Sequence, residues 1–249
     1  MNTNATITQL KTLKLSGMLR SYEAILQLPV HQQPEAHDLI AHLVEAESLH
    51  RTNRKTQRYL KNSKLRYTAI LEQLTFSDQR QLSKNQVLQL ADCAFIQRAE
   101  NILISGATGA GKRFFACAIG HQACLMGYKT LYYNFNRFTE KILQAKLDGT
   151  FIKLLNQIEK TQLLIFDDFG QAPLDQQTRL AFLQILEDRY GKYPTVIASQ
   201  LPIAKRYEII QENTFADAIM DRLLAHAHRF ELKGKSLRQP NNNTNNLPL

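Results

Sequence analysis

The chain has 249 residues, 44% of them hydrophobic and 21% charged, with 31 Lys and Arg against 22 Asp and Glu for a net charge of +9. Such a composition suits a folded, core-forming protein, and with no apolar run near the roughly 18 residues that cross a bilayer it excludes a membrane-spanning class. The excess of cations points to a polyanionic partner such as nucleic acid.

The opening Met-Asn-Thr-Asn-Ala-Thr has no basic stretch leading into an apolar one, so no signal peptide is expected and the cytoplasm is the expected location. Cys93, Cys117 and Cys124 are odd in number and lack metal-ligand spacing, which reads as small buried core residues with free thiols. The length fits one α/β domain plus a smaller appendage. The expected divisions are an all-helical domain over 1–70, an α/β nucleotide-binding domain over 71–238, and a polar, low-complexity, disordered tail over 239–249.

From Ile7 to Leu28 the apolar positions keep near-helical spacing, predicting one or two amphipathic helices with a break near Gly17. Pro29 to Pro34 is a turn or linker, and Ala36 to Lys64 reads as one long helix or two in line. Within it Arg51, Arg54, Lys55, Arg58, Lys61 and Lys64, with Arg66 beyond, follow one another with no acid between Glu47 and Glu72. Steps of three and four residues lay positions 51 to 61 along one helical face about 15 Å long. A face of that length and charge either follows a double-stranded DNA backbone or is a solvated basic surface; the whole-chain excess and the missing acids favour DNA, held through phosphates and not by base readout.

Residues Leu65 to Ala99 link the two parts, with a turn at Thr75 to Asp78 and a helix predicted over Ser83 to Ala91. Strands are predicted over 101–105, 130–134, 162–167, 194–199 and 228–232, and helices over 111–126, 136–147, 150–159, 175–189 and 214–225. This alternation implies a mostly parallel five-stranded sheet covered on both faces.

The first strand runs into Gly106-Ala107-Thr108-Gly109-Ala110-Gly111-Lys112-Arg113, and a helix follows. Strand, glycine loop and helix make a phosphate cradle, in which backbone N–H groups and the helix N-terminus face an oxyanion and the lysine reaches the outer phosphates of a nucleotide. The residue after the lysine should be Ser or Thr, whose hydroxyl ligates Mg2+; here it is Arg113, which has no acceptor. Its guanidinium either pairs with a phosphate or points outward from the helix, and hydrolysis is placed in question while binding is not. The strand Leu163 to Phe166 ends in Asp167 and Asp168, the first suited to hold the metal and the second to orient or deprotonate a water. Ser199 and Gln200 close the next strand, where either reaches a γ-phosphate or water or simply caps a loop. Arg222 either projects into a neighbouring subunit's site or pairs with Asp221 or Asp217 on its own surface, and Arg238 is a weaker phosphate-facing candidate.

The loop and acid pair, with Ala118 to Cys124, Leu163 to Gly170, Asp188 to Gly191, Ala198 to Pro202, Ala216 to Leu224, Leu232 to Arg238 and an opening Leu13 to Met18, resemble the IstB-like transposition helper ATPases, relatives of the DnaC and DnaI helicase loaders. The resemblance implies an AAA+ P-loop NTPase fold, ATP and Mg2+ as ligands, and homo-oligomers that assemble on duplex DNA with little sequence preference. It further implies a cognate transposase, encoded beside the protein, that receives this DNA as target. In that family the loop ends Gly-Lys-Thr or Gly-Lys-Ser and the sensor is often Asn, so Arg113 and Gln200 depart from the pattern.

Overall fold

The structure, a computed structural model, describes residues 3–76, 80–234 and 236–237. Arg238, the tail from 239, and part of the turn expected at Thr75 to Asp78 lie outside them. Two compact units meet in sequence at Arg58 and Tyr59.

The first unit holds α1 (Thr3–Thr12), α2 (Ser16–Leu26) and most of α3 (Ala36–Ser63). The break between the first two helices falls near Gly17, as the sequence suggested, at Lys14 with φ 57°, and Gly17 itself lies inside α2. Gly17 serves packing instead: a Cβ there would lie 2.4 Å from the Ala46 carbonyl oxygen and 2.6 Å from Glu47 Cα. Leu15 offers no capping side chain to α2, so its free N–H groups need another acceptor. Glu47 of α3 supplies it, with Oε2 accepting from Gly17 N at 2.7 Å and Met18 N at 3.2 Å, while Arg51 Nε donates to Oε1 at 2.7 Å.

The second unit begins with the last turn of α3. Short helix α4 (Lys84–Leu88) stands within the span Ser83 to Ala91 where a longer helix was expected, and a second short helix, α5 (Ala94–Gln97), follows beyond it. Then come β1 (Ile102–Gly106), α6 (Lys112–Leu125), β2 (Thr130–Asn134), α7 (Phe135–Leu147), α8 (Phe151–Glu159), β3 (Leu163–Phe169), α9 (Gln176–Arg189), β4 (Thr195–Ser199), α10 (Ile203–Ile210), α11 (Asn213–Leu224) and β5 (His228–Leu232). The sheet is wholly parallel in the order β2-β3-β4-β1-β5, as the alternation of elements requires. Of the helices described in the second unit, α5 and α10 escaped the sequence reading, both being too short for an apolar period to stand out.

Strands buried on both faces need apolar residues at successive positions, which Leu163 to Phe166 and Val196 to Ala198 provide. Alternation divides them between two cores: Ile102, Ile104 and Ile165 pack with α6, whereas Leu103, Leu164 and Phe166 pack with α7, α9 and α11. Arg189, 2% exposed at the end of α9, donates to the carbonyls of Thr161 at 2.6 Å, Pro194 at 2.7 Å and Ile158 at 3.0 Å, tying α8, α9 and β4 together. All three cysteines are buried and free, and burial pushes the Cys93 thiol up to about 12. Because the sheet is parallel, the loops after β1, β3 and β4 leave it by one edge, with β4 between the other two.

Candidate functional site

The loop between β1 and α6 has the cradle geometry its sequence predicts. Gly106 has φ 147° and sits so close to β5 that a Cβ would lie 2.3 Å from the Leu232 carbonyl oxygen. Helix α6 starts at Lys112, so its first-turn N–H groups and positive dipole end face the loop. Lys112 is 7% exposed, and its Nζ donates to the carbonyls of Gly106 at 2.7 Å and Ala107 at 2.8 Å, holding the ammonium at the mouth of the cradle.

Adjacent residues of a regular strand point to opposite faces, yet Asp167 and Asp168 reach the same neighbour. The cause is an irregularity in the pairing of β3 with β4 between Phe166 and Phe169, where Asp168 takes φ 59°. Aspartate tolerates this left-handed conformation better than bulkier residues. The shared neighbour is Arg113, whose Nε donates to Asp167 and whose Nη2 donates to Asp168. Neither sequence expectation for Arg113 anticipated this: its guanidinium is turned inward onto the two acids. Tyr132 of β2 donates its hydroxyl to the same Asp167 oxygen at 2.7 Å, and Asn134 Nδ2 donates to Asp168 at 2.8 Å. Burial works against the Arg113 charge, but the hydrogen bond and charge of Asp167 outweigh it and hold its pKa above the usual arginine range. The Tyr132 hydroxyl is likewise raised, by burial first and then by the Asp167 charge.

These residues fit a nucleotide phosphate chain but not the Mg2+ that commonly accompanies it. Mg2+ demands near-octahedral oxygen ligands; here residue 113 offers no oxygen, and both carboxylates already hold a cation. Among the described residues no group of three or more His, Cys, Asp or Glu gathers into a metal site.

At the end of β4 the two polar residues divide their work. Ser199 is fully buried and its Oγ donates to the Phe169 carbonyl at 2.7 Å, so it braces the end of β3. Gln200 reaches the cradle, where its Oε1 accepts from Thr108 Oγ1 at 2.9 Å. Thr108, Lys112, Arg113, Asp167, Asp168 and Gln200 thus line one cavity of about 380 Å³. A second, mainly apolar recess of about 220 Å³ opens beside it, lined by Leu74, Leu82, Phe114, Phe115 and Leu237, and shares Gly111, Phe114 and Leu237 with the first. Its volume and apolar lining suit a nucleotide base. The sequence reading missed this recess, Tyr67, Tyr132 and Asn134, because the segment from Leu65 read as a linker and no motif marks residues that meet only after folding.

Arg222 is not at this site. Its backbone carbonyl accepts from Asn101, just before β1 and hence at the opposite sheet edge, while its side chain binds Glu187 at 2.7 Å and the Ala218 carbonyl at 2.8 Å. Within its own chain it pairs with Glu187 and not with Asp221 or Asp217. Arg238 lies outside the described residues.

On α3, Arg51, Arg54, Lys55, Arg58 and Lys61 are all exposed, and Lys64 is exposed just past the helix end. Arg51 shares its charge with Glu47. Among the described residues no helix is long and apolar enough to cross a membrane.

Residues 8–245 match the family model described as IstB-like ATP binding protein. The chain belongs to this family. An insertion sequence ATP-binding protein of Sinorhizobium fredii is 37% identical over 96% of this IstB-like chain and 98% of its own. Another, of Pseudomonas fluorescens, is 37% identical over 81% of this chain and 88% of its own. In fold, the crystal structure of DnaI superposes with a TM-score of 0.57 at 18% identity, over 71% of the IstB-like chain and 94% of DnaI, a likeness of fold.

Proposed function

We propose that this IstB-like protein is a nucleotide-gated DNA-binding helper of insertion-sequence transposition, acting in the cytoplasm. ATP fills the cradle of Gly106 to Arg113 with its base in the adjoining apolar recess, and the filled site favours a homo-oligomer on duplex DNA. The exposed cations of α3 grip phosphates with little regard to sequence, and the assembly delivers that DNA to its transposase. The observation that carries the reading is the convergence of Lys112, Asp167 and Gln200 on one cavity, in a chain similar over its length to insertion sequence ATP-binding proteins.

Arg113 favours a second statement about the same site, that nucleotide acts chiefly as a ligand. Asp168, the residue suited to orient water, is held by Arg113 and Asn134.

The test is fluorescence anisotropy of random-sequence duplexes titrated with the full chain, with and without ATP. Tighter binding with ATP, on the order of tenfold, is expected. Affinity indifferent to nucleotide overturns the reading, and a preference for single strands favours a helicase-loader role instead.

A further inference from the structure

Resting on that nucleotide reading, we infer that the Arg113 guanidinium takes the place of the divalent cation, so that nucleotide binds this protein without Mg2+ and added Mg2+ brings no gain in affinity. The position one residue after the cradle lysine normally supplies a metal ligand. In this chain the same position supplies a cation, and it reaches the two acids that would share such a metal.

Charge and geometry both support the substitution. Asp167 and Asp168 are both held by Arg113 before any ligand enters, with the Asp167 side chain 2% exposed and that of Arg113 18% exposed. A guanidinium cannot shed its proton to make room, so a divalent ion at Asp167 would sit against a permanent positive charge. It would also meet a carboxylate oxygen that already accepts from Arg113 Nε and the Tyr132 hydroxyl.

Arg113 is meanwhile equipped for the other half of the metal's work, which is to neutralise phosphate oxygens. Guanidinium carries five N–H donors in a planar fork suited to phosphate, and the acids use two of them. Both Arg113 and Tyr67 line the phosphate cavity, so the guanidinium edge is presented where the outer phosphates lie once the loop is filled.

Binding of N-methylanthraniloyl-ATP to the full chain, measured in excess EDTA and again in millimolar Mg2+, tests this. For the native chain the two affinities are expected to agree within about threefold. In Arg113→Thr, and in Arg113→Gln as a neutral variant of similar size, binding in EDTA is expected to weaken by roughly tenfold or more, with Mg2+ restoring affinity only in the Thr variant. Native binding that needs Mg2+, or an Arg113→Thr variant as indifferent to Mg2+ as the native chain, overturns the inference while leaving nucleotide binding intact. No binding by the native chain in either medium overturns the nucleotide reading and the inference with it. The native comparison decides the matter even where a variant folds poorly.

Discussion

Lys112 shows how a single residue ties fold to function at this site. An ammonium that is 7% exposed must be satisfied, and the loop carbonyls of Gly106 and Ala107 do so at 2.7 and 2.8 Å. Those same contacts hold it where incoming phosphate oxygens can replace carbonyl partners with charged ones. Lys112→Ala therefore removes a charge-assisted contact worth about 1.5–3 kcal/mol. ATP affinity is expected to fall roughly tenfold to a hundredfold, read by isothermal titration, while the melting temperature of the apo chain moves little. An unchanged ATP affinity would mean that this lysine serves the loop alone. The lysine, the glycines and the paired acids were legible in sequence because their spacing is fixed within single segments. The grip of Arg113 on both acids was not, since it depends on the left-handed turn of Asp168, which throws two neighbouring side chains to one side.

Among the elements, α2 depends on a neighbour for its start. Its own preceding residue, Leu15, cannot cap it, and the Glu47 carboxylate of α3 takes the Gly17 and Met18 N–H groups instead. The hydrogen bond from Arg51 holds the Glu47 pKa below its ordinary 4.5, against the opposing effect of burial and with help from those two N–H groups. Because the folded pKa is the lower one, the unfolded chain binds the proton first as acid is added. The stabilisation is therefore complete above about pH 4.5 and is lost as the pH falls through the folded value. In Glu47→Gln the amide caps more weakly, so the variant should melt below the native chain at neutral pH, and the gap should close under acid conditions. Helical circular dichroism on heating, at a series of pH values, reads this directly. Other carboxyls, such as Glu100, held at about 2 chiefly by Arg98, act equally in both proteins and cancel in the difference. A gap that stays constant with pH would remove Glu47 from this role. The sequence placed a helix break near Gly17, and it lies three residues earlier at Lys14, whereas the close contact of Gly17 itself with Ala46 has no local signal.

For the molecule as a whole, the parallel sheet was readable from alternating apolar runs and helical stretches, whereas the base-sized recess joins Leu74, Phe114 and Leu237 from distant parts of the chain and has no local signature. Charge is the other property of the whole chain, and a net +9 suits the polyanionic partner proposed above, without saying where it would be met. The stripe on α3 makes that question measurable. Each phosphate neutralised releases condensed counterions, so a cation in contact with duplex DNA contributes about 0.9 to the slope of log affinity against log salt. Arg51 is a poor choice for the test because it also holds the Glu47 cap. Arg54 and Lys61 are exposed on the same helix and serve better. Arg54→Ala and Lys61→Ala should each lower the slope by about 0.9 and weaken binding evenly across unrelated duplex sequences. The double variant should lose about twice that slope, since the two positions are distant enough to act independently. Reduced affinity with an unaltered slope would place the effect in folding or assembly, and neither quantity changing would move the DNA-binding face away from α3.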